Sequence, residues 1–164
     1  MKIPIVNDQD EVIEYKDRND VIAGEIVRIT AIWITDGNDN ILMAQRSFKK
    51  KHSPGLWGPG VAGTVEEGET YESNAYKELE EELGITGVTL KPIKKILYTS
   101  RTGSKFCYFY NLQISKDTKF KIQENELEQV KWFSKEELKN LLNTKPEDFV
   151  HALELLKEFF LEIK

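Results

Sequence analysis

Hydrophobic positions along this chain change their period several times, and each change marks an element. Residues 3–7 and 11–15 are apolar-rich and flank Asn7, Asp8, Gln9 and Asp10, which predicts an N-terminal hairpin. Residues 25–35 form a long β-branched run, the pattern of a central strand. A turn through Asp36, Gly37, Asn38 and Asp39 follows, and residues 41–46 return as the next strand. Residues 47–60 read as a basic loop, with Lys49, Lys50, Lys51 and His52 followed by Pro54-Gly55 and Gly58-Pro59-Gly60. The period then lengthens. Tyr71, Ala75, Leu79 and Leu83 recur every four residues, one stripe of a helix, and Gly84 is placed to cap its C-terminus.

Downstream, residues 88–99 and 105–114 predict an antiparallel pair around a turn at 100–104. A polar loop carrying Glu124, Glu126 and Glu128 leads into a short strand at 130–133. Ser134 with Glu137 is a capping-box spacing and opens a helix to about residue 142. Thr144, Lys145, Pro146 and Glu147 open a last helix, whose apolar face is Phe149, Ala152, Leu153, Leu156, Phe160 and Ile163. Strands and helices in this order predict an α/β sandwich around a mixed sheet. Neither a repeat nor a low-complexity linker interrupts it, so a single domain over residues 1–164 is expected.

Charge sharpens this picture at one place. The formal net charge is −5, yet residues 66–82 hold eight glutamates and one lysine, a net of −7, leaving the rest of the chain slightly basic. The acidity is local, and there is no basic stripe of the kind that binds nucleic acids generally. Cys107 is the single cysteine, so there is no internal disulfide framework, and between Phe106 and Tyr108 it reads as a packed thiol. His52 and His151 have no partner at metal-ligand spacing. No apolar run is long enough to span a bilayer and no signal-peptide pattern is present; a cytoplasmic protein without membrane partners is expected.

Within the acidic window, Glu78, Glu81 and Glu82 stand at i, i+3 and i+4, so their carboxylates gather along one edge of the helix. Like charges at this spacing weaken a helix by a few tenths of a kcal/mol per pair, roughly. They also lie toward its C-terminal end, where the helix dipole disfavours negative charge. An ordinary solvated acidic helix would account for the charges alone. A carboxylate edge placed against stability points instead to a hard divalent cation, Mg²⁺ or Mn²⁺.

The spacing of residues 63–85 carries more. Gly63, five residues, Glu69, seven residues, and then Lys77-Glu78-Leu79-Glu80-Glu81-Glu82-Leu83-Gly84-Ile85 resembles the signature box of the Nudix hydrolases, G-x5-E-x7-R-E-U-x-E-E-x-G-U, with U a bulky apolar residue. Every specified position agrees except the arginine, which is Lys77. The resemblance implies a Nudix-type α/β/α sandwich and a Mg²⁺- or Mn²⁺-dependent hydrolase that cleaves a small organic diphosphate, such as a nucleoside diphosphate derivative or a prenyl-type diphosphate. It makes Glu78 and Glu82 direct cation ligands, Glu81 a ligand directly or through water, and the Ala62 backbone carbonyl a further one. Glu69 would be steadied by Lys77 in the arginine's place. A later loop carboxylate often joins such a set; Glu126 and Glu128 are the candidates, Glu126 the first of them. A fold of this kind that binds without turnover is the alternative, and Lys77 is the feature that raises it.

The resemblance runs on outside the box. Arg46, Lys50 or Lys51, and Pro54-Gly55-Leu56-Trp57 are similar to the branch related to type I isopentenyl diphosphate isomerase, as are the N-terminal hairpin and residues 132–138. When aligned on Trp57, the isomerase's catalytic cysteine falls at Ala62 and its neighbouring metal-binding histidine at Thr64. Isomerisation is therefore disfavoured and hydrolysis expected. Arg46, Lys50 and Lys51 are candidates to grip substrate phosphates. Trp57 either lines the substrate pocket or plugs the core.

Overall fold

A computed structural model describes residues 1–163. Nine strands form one mixed sheet: β1 (Lys2–Val6), β2 (Val12–Asp17), β3 (Ile26–Thr35), β4 (Asn40–Arg46), β5 (Trp57–Pro59), β6 (Val61–Thr64), β7 (Lys91–Ser100), β8 (Gly103–Gln113) and β9 (Leu127–Ser134). β3 is the hub. It runs parallel to β8 along its whole length, from Ile26↔Ser104 to Thr35↔Gln113. On its other side it pairs antiparallel with β1, β6 and β4 in turn. β4 carries the sheet outward to β5 and β9.

From Ala31 to Ile34 the hub strand is apolar and buried, because both of its faces are covered there. Ile32 and Ile34 join Leu42, Tyr110 and Leu112 under helix α1 (Tyr71–Leu83), which contributes Ala75, Leu79 and Leu83. Ala31 and Trp33 join Met43, Cys107 and Phe109 on the opposite face. That face is closed by α2 (Lys135–Thr144), α3 (His151–Leu155) and α4 (Lys157–Glu162). The result is the expected α/β/α sandwich. Cys107 is fully buried there, and burial pushes its thiol pKa up.

Local signals explain where α1 begins and ends. Thr70 Oγ1 accepts from the Ser73 amide at 3.0 Å, and Ser73 Oγ accepts from the Thr70 amide at 2.9 Å, a reciprocal cap. Gly84 closes the helix in the left-handed region, with φ 69° and its amide on the Glu80 carbonyl. The last two carbonyls of the helix are also taken. Lys121 N donates to Leu83 O at 3.0 Å and Gln123 N to Glu82 O at 3.1 Å, so the loop after β8 is strapped across the helix end.

Two expectations need correction. Residues 57–59 are a short strand rather than loop, and β6 follows them; Gly58, Pro59, Gly60 and Gly63 obscure both segments, which exist through pairing with β4 and β3. The last helix does not start at Thr144, which ends α2. Residues 146–148 make a 3₁₀ turn, and Phe149 and Val150 run extended against β5, Val150 N donating to Trp57 O at 2.9 Å. Helix begins only at His151 and breaks again at Leu156. Its apolar face still serves the core, with Phe160 stacked on Trp33 at 4.6 Å between ring centroids.

Candidate active site

Helix α1 lies over β6, and one glycine sets how closely. A Cβ on Gly63 would overlap Cγ, Cδ and Oε1 of Glu78, so the Glu78 side chain lies flat against the bare strand. One turn further, Glu82 is 5% exposed. Glu78 and Glu82 thus point inward, toward β6, while Glu81 stays on the exposed rim of the helix. Among the described residues, no three acidic, histidine or cysteine side chains converge on one point. The structure turns Glu78 and Glu82 inward, while Glu81 is exposed and Glu126 is half-buried.

Electrostatics mark the same two groups. Burial pushes the Glu78 carboxyl up to about 7; Lys77 opposes this, and the charges of Glu81 and Glu69 add to it. Burial also raises Glu82 well above the glutamate range, reinforced by Glu78 and Glu126 and opposed by the Ala62 backbone amide and Arg46. The nearest guanidinium is already occupied. Arg46 donates through Nε and Nη2 to the His52 carbonyl, at 3.2 and 3.0 Å. Two inward carboxylates beside strand backbone, with Lys77 reaching only Glu78 at 4.0 Å and Arg46 turned to the His52 carbonyl, are an oxygen donor set that fits a hard divalent cation. Glu78, Glu82 and backbone oxygens of β6 are the groups able to hold it, with water filling the remainder.

Behind the pair, Lys77 and Glu69 form a lock. Lys77 Nζ stands 2.6 Å from Glu69 Oε1, 2.8 Å from Glu66 Oε1 and 4.0 Å from Glu78 Oε1. Glu69 Oε2 accepts from the Glu66 amide at 2.9 Å, which closes the loop before the helix. A single ammonium therefore reaches both loop carboxylates. Asn74 completes the arrangement and was not foreseen. It is fully buried, donating to Glu69 Oε2 at 2.9 Å, to Thr64 O at 3.0 Å and to Glu78 Oε1 at 3.4 Å, while accepting from Thr30 Oγ1. Its signal was available: Asn74, Glu78 and Glu82 make a polar stripe at i, i+4, i+8 beside the apolar stripe Ala75, Leu79, Leu83.

The proposed substrate residues divide. Lys50 Nζ lies 2.5 Å from Glu126 Oε2, and Ser47 N donates to Glu126 O at 2.9 Å, so the basic loop is fastened to the segment before β9. Lys51 is exposed. Trp57 is not part of this edge. Its ring packs edge-on against Phe133 at 5.2 Å, on the sheet face opposite α1, which is the core reading of that residue. Glu128 lies exposed in β9. His151 accepts from the Arg101 amide through Nδ1, a structural contact.

The fold and this glutamate-lined helix over a bare glycine define a class. The NUDIX domain profile matches residues 25–153, and the chain belongs to the Nudix family. Its relatives place it among the hydrolases of that family. The uncharacterized Nudix hydrolase YfcD of Escherichia coli strain K12 is 30% identical over 156 residues, covering 93% of this chain and 84% of its own. Isopentenyl-diphosphate Delta-isomerase 2 of Photorhabdus laumondii is 29% identical over 127 residues, covering 76% and 71%, so the isomerase branch is also related. DR0079 from Deinococcus radiodurans superposes with a TM-score of 0.82 at 24% identity, covering 96% of this chain and 98% of that one, a likeness of fold. No helix among the described residues is long and apolar enough to cross a membrane.

Proposed function

We propose that this Nudix hydrolase is Mg²⁺- or Mn²⁺-dependent and cleaves the diphosphate linkage of a small organic substrate, a nucleoside diphosphate derivative or a prenyl-type diphosphate, in the cytoplasm. The observation that carries the reading is the inward Glu78–Glu82 pair, with Glu78 pressed onto Gly63 and Glu82 buried. A divalent cation held there neutralises phosphate charge and lowers the pKa of bound water. The chain's own residues do the rest. Glu69, Lys77 and Asn74 hold the loop and Glu78 in place, so little reorganisation is needed when the site is loaded. Glu81 and Glu126, on the rim, are positioned to take part from outside the pair. Arg46 and Lys50 sit beside Glu82 and Glu126 and can transfer their hydrogen bonds to substrate phosphate oxygens.

The isomerase's reaction is disfavoured by Ala62 and Thr64, which stand where that branch uses a cysteine and a histidine. Binding without turnover was raised by Lys77 alone, and the contacts of Lys77 with both Glu66 and Glu69 weigh against it. The test offers the purified protein a panel of nucleoside diphosphate derivatives and prenyl diphosphates, with Mg²⁺, with Mn²⁺ and with chelator. Cation-dependent cleavage of at least one class is expected. Tight binding with no cleavage anywhere in the panel would sink the proposal.

A further inference from the structure

The hairpin of β1 and β2 precedes the matched domain, which starts at residue 25, yet it is tied to the box at two points. One is backbone: Glu67 N, in the box loop, donates to Lys2 O at 2.9 Å. The other is Asp10, in the hairpin turn, held in the left-handed region at φ 64°. Its side chain is 5% exposed and gathers donors from three separate elements. Arg28 of β3 donates Nε to Oδ1 at 2.7 Å and Nη2 to the Asp10 carbonyl at 2.5 Å. Lys95 of β7 donates to Oδ2 at 2.5 Å. Tyr71, the first residue of α1, donates its hydroxyl between both oxygens, at 3.0 Å from each. The Arg28 guanidinium also lies over the Tyr71 ring, 5.4 Å from its centroid.

These two ties bracket residues 67–71, the segment containing Glu69. The hairpin therefore fixes both ends of the loop whose carboxylate Lys77 and Asn74 hold. We propose that Asp10 is a positioning residue for the carboxylate edge. Through it, the hairpin sets the height of the box loop and of the α1 start above β3, and so where Glu69 and Glu78 come to rest. Nothing in the Glu78–Glu82 edge touches Asp10; its action passes through Tyr71 and the loop. The consequence for turnover rests on the function proposed above, whereas the consequence for the loop does not.

The test compares wild type with Asp10→Ala, Asp10→Asn and Tyr71→Phe. Tyr71→Phe keeps the Arg28 and Lys95 hydrogen bonds and so secures a folded variant. Amide hydrogen exchange is the readout independent of activity. In Asp10→Ala, the Glu66, Glu67 and Glu69 amides should exchange on the order of tenfold faster or more, while β3 and β8 amides keep their protection. The Mg²⁺ concentration giving half the thermal shift should rise in the same variant, with Asp10→Asn and Tyr71→Phe in between. On a confirmed substrate, kcat should fall by about tenfold or more with KM changed less than about twofold, the signature of a misplaced catalytic edge rather than lost binding. Wild-type exchange at those three amides in Asp10→Ala would overturn the proposal. So would a loss of protection shared equally with β3 and β8. If wild type cleaves nothing in the panel, the function proposed above fails, while the exchange result still decides the role of Asp10.

Discussion

Replacing Gly63 with alanine puts one methyl group where the Glu78 side chain lies. The new Cβ would sit far inside the roughly 3.5–4.0 Å at which carbon atoms are comfortable, against Cγ, Cδ and Oε1 together. The strand cannot retreat, because Gly63 is in register with Thr30 of the hub strand. Glu78 must therefore swing out, giving up its contact with Asn74. Two stability effects then oppose each other. Overpacking at such a point costs about 1–3 kcal/mol. Returning the carboxylate to water relieves the burial that lifts it from 4.5 to about 7, worth about 3 kcal/mol to the charged form. The terms are of the same size, so Gly63→Ala should melt within about 5 °C of wild type, at roughly 2–4 °C per kcal/mol for a domain of this size. Cation binding has no such compensation, since one of two inward carboxylates has left. Mn²⁺ affinity, read by calorimetry, should fall by about 10- to 100-fold. Wild-type Mn²⁺ affinity in Gly63→Ala would refute the reasoning, and a collapse in melting temperature would refute the offset.

Three further outcomes are expected. Lys77→Ala should cost about 1 kcal/mol in thermal unfolding and weaken Mg²⁺ binding, because Glu66 and Glu69 lose their shared partner, whereas Lys77→Arg should preserve both. Glu82→Gln should leave the metal-free melting temperature unchanged or higher, since it removes a carboxyl whose burial disfavours its charged form, yet abolish the Mg²⁺-induced thermal shift and cut turnover by about 10² or more. Burial alone would raise Asp10, but hydrogen bonds from Lys95, Arg28 and Tyr71 outweigh it and hold the group below its ordinary 3.8. Its folded value is thus depressed, so its contribution is present above the unfolded value and lost as pH falls through the folded one. Urea unfolding across pH should show a constant gap between wild type and Asp10→Asn down to about pH 4, closing below it.

The parts of this protein written in periodic residues were legible from the sequence. The every-fourth-residue stripe of α1 and the apolar runs of β3, β4 and β8 gave their elements directly, because each buries a face against a layer. β5 and β6 were not legible, since Gly58, Pro59, Gly60 and Gly63 carry breaker signals and are held by pairing alone. The late start of α3 was also hidden, because Val150 spends its amide on Trp57, over ninety residues back in the chain. At the site, the glutamate spacing and Lys77 were readable, and their geometry adds which carboxylates turn inward. Charge counting could not reveal that Arg46 is engaged by the His52 carbonyl or Lys50 by Glu126, which is 76 residues away. Asn74 was missed by attention to charge alone.

The strap across the end of α1 has a consequence for how such a protein can be altered. Gln123 N holds the backbone of Glu82, and Glu126 hangs three residues further along the same strap. Ser47 N and Lys50 then hang the basic loop from Glu126. The basic loop is thus suspended from the helix through a second loop, as the last link of a chain. Exchanging residues 47–55 alone between relatives would cut that link. A transplant of residues 47–55 that is to keep the Lys50–Glu126 pair has to carry residues 121–126 with it, because the two loops are held as one unit.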